Sequence, residues 1–172
     1  VSARALIAVG SNIDPELNLP AGVAALLQHP EVDVLAVSPV YESEPVGRPG
    51  DPKFHNAALR VETPLCPAAL RTLLHSIEAE HGRVRTGDPD APRTLDLDLV
   101  LYEGMDGETR GMRYADPEIA ARTHLAVPLA DVAPDWVLPE GGGTLAETAA
   151  ALDVGELRRL HVNLGQRRHC GN

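Results

Sequence analysis

The segment Thr94-Leu95-Asp96-Leu97-Asp98-Leu99-Val100-Leu101-Tyr102 constrains this chain more than any other. Leucine recurs at every second residue, and two aspartates fill the gaps between. Side chains alternate faces along a strand, so residues two apart point the same way. The pattern predicts a strand with Leu95, Leu97, Leu99 and Leu101 packed on one face. Asp96 and Asp98 then project together from the other. Such a strand needs a core on its leucine side and a partner for two neighbouring like charges. The core is available: 44% of the 172 residues are hydrophobic, and a chain of this length buries a core unaided. Aromatics make up only 3%, so that core is predicted from Leu, Val, Ile and Ala.

Three further strands and two helices precede this one in the pattern. Ala5–Val9 reads as a buried first strand ended by Gly10-Ser11-Asn12, and Val32–Ser38 alternates as a second. His55–Glu62 reads as a third. Between the first two, a helical segment starts near Asp14-Pro15, with its regular part placed after Pro20 and its end at Pro30. The clearest helix carries Leu70, Leu73, Leu74 and Ile77 at i, i+3, i+4 and i+7, with Pro67 in its first turn and Gly82 at its end. The order is βαββαβ, the ferredoxin-like arrangement, so the fold class is α/β in the α+β sense, with C-terminal additions. Those additions are a short helix at Pro117–Arg122, an apolar stretch at Leu125–Leu129 and a helix at Leu145–Leu152. One domain spans residues 1–160. Residues 161–172 lack periodicity and read as a disordered tail.

Charge and composition remove several classes of function. A formal charge of −10 and the shortage of aromatics argue against nucleic acid and against an anionic membrane surface. Val1–Gly10 is too short and too weakly apolar for a signal peptide, and no apolar run reaches membrane length. Cys66 and Cys170 form no disulfide framework and no zinc pattern, so the expected location is the cytoplasm. Gly141-Gly142-Gly143 is a connector rather than a phosphate loop, because no Gly-Lys-Ser/Thr follows. Trp136 reads as a packing anchor.

The carboxylate pair gains meaning from its neighbours. Magnesium takes one or two carboxylates and completes its octahedron with water and substrate phosphates, and a two-ion arrangement is feasible at this separation. Immediately upstream stand Arg83, Arg85 and Arg93, whose planar guanidinium forks match phosphate oxygens. The loop between them holds Gly87 and Pro89 and can close over a substrate. His75 and Glu78 lie on the helix leading into this loop. Cations on both sides of a loop, next to two carboxylates, point to phosphoryl transfer.

Taken together, Gly82-Arg83-Val84-Arg85 and Pro92-Arg93-Thr94-Leu95-Asp96-Leu97-Asp98 resemble the signature of the 6-hydroxymethyl-7,8-dihydropterin pyrophosphokinase family (HPPK). Val9-Gly10-Ser11-Asn12, Ser38-Pro39-Val40-Tyr41, Asn56-Ala57 and Val127-Pro128-Leu129 support it, over about the first 140 residues. The resemblance implies Mg-dependent transfer of pyrophosphate from ATP to the pterin alcohol, in folate biosynthesis, by a monomer. It implies that Asp96 and Asp98 hold two Mg2+ ions and that Arg83 and Arg93 serve catalysis at the phosphates. It assigns His75, Glu78, Arg85 and Arg122 to ATP, and Ser43, Pro45, Val46, Phe54 and Asn56 to the pterin. Pro89 and Asp90 stand where the family typically has an Arg-Trp pair. Asp116 replaces a nucleotide-binding His, and His124 an aromatic. Two alternatives follow from these departures. One is the same Mg-ATP machinery acting on another small alcohol; the other is a non-catalytic nucleotide-binding or interaction protein.

Overall fold

The computed structural model describes residues 1–105, 108–109, 112–113, 115–155 and 157–165. Its elements run β1 (Ala3–Ser11), α1 (Pro15–Gln28), β2 (Asp33–Val37), β3 (Val40–Ser43), β4 (Phe54–Thr63), α2 (Pro67–Glu80) and β5 (Asp96–Tyr102). A two-residue pair, β6 (Glu108–Thr109) and β7 (Met112–Arg113), follows. Then come α3 (Thr123–Val132), α4 (Leu145–Ala151) and β8 (Arg158–Leu160). The main sheet has the order β5-β1-β4-β3-β8, with β2 also on β4, and every pairing is antiparallel. Stripped of β3 and β8, this is the predicted ferredoxin-like order.

The second predicted strand, Val32–Ser38, is β2, and β3, which the sequence pattern did not predict, follows it in line on β4. Pro39 cannot donate to the ladder, and the chain breaks there. Ser38 bridges the gap: its N–H donates to Ala58 O at 2.9 Å, and its Oγ accepts from Ala58 N at 2.8 Å. The break frees β3 to carry Tyr41 and Ser43 towards the cleft end of the sheet.

Both faces of the sheet are covered. Ala5, Ile7, Val9, Leu59, Val61, Leu97 and Leu99 pack against Leu19, Val23 and Leu26 of α1 and Leu70, Leu74 and Ile77 of α2. On the other face Leu6, Ala58, Val100 and Leu101 pack against Ala126, Leu129 and Val132 of α3 and Leu145 of α4. Leu101 therefore departs from its predicted face. The register slips between Leu6 and Ile7, whose partners are Leu101 and Leu99, so Val100 is the extra residue of a bulge that reverses the alternation beyond it. Leu95, Leu97 and Leu99 hold the predicted side. Gly22 makes that fit possible, since a Cβ there would stand 2.7 Å from Leu95 Cδ1.

Three boundaries differ from expectation. The first helix begins at Pro15, and Pro20 sits inside it. Residues 117–121 form turns rather than a helix, with Ile119 N–H on Asp116 O and Ala121 N–H on Glu118 O. The helix starts at Thr123 instead and absorbs the apolar stretch, because burial of Ala126, Leu129 and Val132 outweighs the donor that Pro128 lacks. At the C-terminal end β8 adds to β3, and Leu164 is buried in the first core. The rest of the predicted tail, from residue 166, lies outside the described residues.

Candidate active site

β5 is an edge strand, and its first residues open into a cleft of about 420 Å³. Asp96 and Asp98 both line it, as the alternation predicted. They pair in register with Gly10 and Ala8 of β1, which lie next to Asn56 and Ala58 of β4. The floor is low because these β1 residues are small. A Cβ on Gly10 would stand 3.9 Å from Asn56, Asp96 and Phe54 at once.

The two carboxylates have opposite surroundings. Asp96 is gripped from both sides: Arg83 Nη1 donates to its Oδ1 at 3.2 Å and Arg93 Nη1 to its Oδ2 at 3.0 Å. Asp98 accepts no hydrogen bond among the described residues. It faces the open cleft, yet the enclosing walls push its carboxyl up to about 7, reinforced by the charges of Asp96, Glu78 and Asp116 and opposed by Arg93. An acidic group left without a donor beside a second carboxylate suits a hard divalent cation. Among the described residues no cluster of three or more His, Cys, Asp or Glu could hold one. An ion here would take its remaining ligands from water and substrate.

The arginines are placed by the chain around them. Gly82 at φ 81° ends α2, with Arg83 N–H bonded back to Glu78 O at 3.1 Å. That reversal lets Arg83 reach Leu95 O at 2.8 Å as well as Asp96. Glu78 is buried at 1% exposure. Its Oε1 accepts from Leu97 N at 2.8 Å and its Oε2 from Arg85 Nη2 at 2.5 Å. It thus satisfies a backbone donor on the outer side of the edge strand and anchors Arg85. It does not line the cleft. Arg83, Arg85 and Arg93 together border a smaller hollow of about 170 Å³ under the loop.

At the other end of the cleft stand Ser43, Pro45, Val46, Phe54 and Asn56. Asn56 is 7% exposed. Its Nδ2 donates to Tyr41 O at 3.2 Å and to Ser43 Oγ at 2.9 Å, so both amide protons are spent on protein. Its Oδ1 remains as an acceptor. Phe54 carries the Arg93 guanidinium 5.8 Å from its ring centroid. Arg122, at the start of α3, lines the cleft with its Nε on Glu118 Oε2 at 2.5 Å. His124 is there too, its pKa lowered by burial and then by Arg122. Of the predicted set only His75 and Glu78 line neither cavity. His75 is exposed on α2.

The comparisons with known proteins bear on this arrangement directly. Residues 6–134 match the family 7,8-dihydro-6-hydroxymethylpterin-pyrophosphokinase (HPPK). The chain belongs to the HPPK family. It is 37% identical over 158 residues to the 2-amino-4-hydroxy-6-hydroxymethyldihydropteridine pyrophosphokinase of Pseudomonas aeruginosa, covering 91% of this chain and 96% of that one. To the protein of the same name in Bacillus subtilis it is 41% identical over 132 residues, 74% of this chain and 77% of that one. The crystal structure of Plasmodium falciparum HPPK-DHPS with pteroate superposes at a TM-score of 0.61, with 11% identity, 87% of this chain and 42% of that chain. An HPPK-DHPS in complex with substrates gives 0.68, with 11% identity, 93% of this chain and 49% of that chain. At such identities these structures speak for the fold, of which this chain spans less than half the solved length.

Three contributors to this HPPK cleft were assigned no role from the sequence, although two of them, Gly10 and Asn12, stand in a segment that supported the resemblance. Asn12, 3% exposed, accepts from Arg93 N at 2.7 Å through Oδ1, while its own N–H bonds to Arg93 O at 3.1 Å. It fixes the arginine's backbone across the end of β1. Gly10 lowers the floor. Arg48 forms an ion pair with Asp88, and Asp90 lies against Gly47, so the 44–52 loop meets the acidic tip of the 83–93 loop over the cleft. The acidic departure in this loop therefore brings its own cation.

Proposed function

We propose that this chain catalyses Mg-dependent transfer of pyrophosphate from ATP to 6-hydroxymethyl-7,8-dihydropterin, giving AMP and the pterin pyrophosphate. One observation carries the reading. A single cleft joins a carboxylate pair, one member of which is held by two arginines, at one end to an aromatic face and a fixed amide acceptor at the other. Its relatives bear the name of that reaction. The pterin ring would lie against Phe54, with a ring N–H donating to Asn56 Oδ1 and Pro45 and Val46 closing its apolar side. Triphosphate would take Arg83 and Arg93 away from Asp96, with Arg85 and Arg122 binding the nucleotide further out. Glu78 serves by holding Arg85 and β5 in place. Asp96 and Asp98 would hold Mg2+, which supplies charge neutralisation at the phosphates. The pterin hydroxymethyl oxygen, giving up its proton to water, bonds to the β-phosphorus as the bond from that phosphorus to the α,β-bridging oxygen breaks, and AMP leaves with that oxygen. No covalent intermediate on the protein is required; positioning and electrostatics carry the step.

We infer a monomer, as the family resemblance implies, and a cytoplasmic location, from two cysteines that form no framework. Among the described residues no helix is long and apolar enough to cross a membrane. The test is incubation with ATP, magnesium and the pterin, following AMP by chromatography. AMP that appears only with the pterin supports the assignment. AMP formed with other small alcohols and not with the pterin would overturn it in favour of a diverged substrate, for which Asp90, Asp116 and His124 in the cleft lining are the reason.

A further inference from the structure

A second cavity, of about 400 Å³, lies at the opposite end of the same strands and shares no lining residue with the cleft. Arg4, Arg60, Tyr102, Glu103, Met105 and Trp136 are in its wall. Its two arginines differ. Arg4 is fully engaged by Glu103, with Nε at 3.2 Å and Nη2 at 2.5 Å on the same carboxylate oxygen and its backbone N–H on the other at 3.0 Å. Arg60 stands on the sheet between Leu6 and Ala36, and its buried Nε has no partner. Among the described residues it forms no ion pair. Its Nε is closed off from the space, but neither Nη is buried or bonded to a described residue, so the two terminal nitrogens of this cavity-lining residue are free to donate to an acceptor there.

The remaining wall defines what the acceptor is attached to. Trp136 is half-buried, and with Met105 and Pro134 it makes up an apolar part of the lining. Glu103 and Asp135 also border the space, which disfavours a dianion such as phosphate. We propose that this cavity binds a small monocarboxylate with a planar apolar body, its carboxylate accepting from Arg60 and its ring lying on Trp136. The guanidinium fork fits a carboxylate with two parallel hydrogen bonds, and the indole covers the ring.

Trp136 is the only tryptophan of the chain, so its fluorescence reports this cavity and not the pterin cleft. The full chain is titrated with benzoate, with neutral benzamide and with inorganic phosphate. Benzoate is expected to give a saturable change, and both benzamide on the native chain and benzoate on Arg60→Gln to bind about tenfold more weakly or worse. Phosphate is expected to bind more weakly than benzoate. Glu103→Gln, a change at a half-exposed side chain, frees Arg4 and is expected to tighten benzoate. AMP formation by Arg60→Gln serves as the check on folding. Absence of a saturable benzoate signal, equal affinity for benzamide, tighter binding of phosphate, or unchanged affinity in Arg60→Gln overturns the proposal. Should Arg60→Gln fail to fold, unchanged benzoate affinity in Glu103→Gln does so instead.

Discussion

The two walls of the cleft are built in opposite ways. The wall with Ser43, Phe54 and Asn56 is neutral and stands on paired strands, with the Asn56 amide already bonded to β3. The wall with Asp96, Asp98, Arg83 and Arg93 is charged and stands where a strand end meets a loop. There Asp96 takes both guanidinium groups and Asp98 takes none. Neutral recognition can be set into the sheet permanently, since its hydrogen bonds are satisfied before substrate arrives. Charges meant for phosphate and metal must be kept in provisional pairs, because an unpaired buried charge is costly.

The largest expected effect comes from breaking the charged wall at Asp98. Asp98→Asn is expected to lower AMP formation on the order of a thousandfold, the loss of several kcal/mol of charge stabilisation. The same variant in metal-free buffer at pH 8 is expected to melt no lower than the native chain, because a repelling charge is gone. A variant that melts lower and keeps its activity would break the comparison. The native group also sets a pH dependence. Its folded carboxyl is raised from 3.8 to about 7, so between those values the folded state binds more protons than the unfolded one. Stability of the metal-free protein from this group therefore falls as pH rises from 3.8 to about 7 and is level above. Mg2+ must expel that proton, so its affinity rises through the same window, as calorimetric titration at stepped pH would show.

Phe54→Ala and Asn56→Ala attack the neutral wall. Each is expected to raise KM for the pterin by about tenfold to a hundredfold, through lost stacking or a lost buried acceptor. KM for ATP should move little. Equal effects on both substrates would mean that the two walls are one.

Glu78 lies behind the charged wall, and its effect should appear as stability. Glu78→Ala strands the Leu97 N–H and is expected to cost about 2 kcal/mol in denaturant unfolding. Retention of native stability would show that this edge donor finds another partner.

Much of this was legible in the sequence because it depends on local period. The alternation from Leu95 to Leu99 placed both aspartates on one face, and Leu70 to Ile77 placed the helix that leads into the arginines. The resemblance added the neutral wall, where Ser43, Pro45, Val46, Phe54 and Asn56 do line the cleft. What was not legible depends on pairing between distant segments. The bulge that turns Leu101 over exists only in the register of β5 against β1. The strand Arg158–Leu160 forms only because β3 offers it an edge. Helix α3 starts at Thr123 because of what Ala126 and Leu129 bury, which no residue in 117–122 announces. The resemblance assigned Glu78 to ATP; that its carboxylate lies buried on the Leu97 N–H depends on how α2 packs against β5.

Arg48 provides the smallest and most discriminating test, because it belongs to neither wall. It pairs with Asp88 across the mouth of the cleft, and the two side chains are 43% and 38% exposed. Ion pairs this exposed are worth about 1 kcal/mol or less, so folding should hardly notice Arg48→Ala. Phosphate binding should, since the variant leaves the Asp88 charge uncovered beside the arginine hollow. KM for ATP is expected to rise by roughly fivefold at most, kcat to stay near native, and the difference to fade as added salt screens Asp88. The double variant Arg48→Ala/Asp88→Ala then separates charge from shape. Recovery of native ATP affinity in the double variant means that Arg48 neutralises the acidic loop. A double variant as weak as the single one means that the contact instead holds the two loops together, and that the acidic tip is no burden to the charged wall.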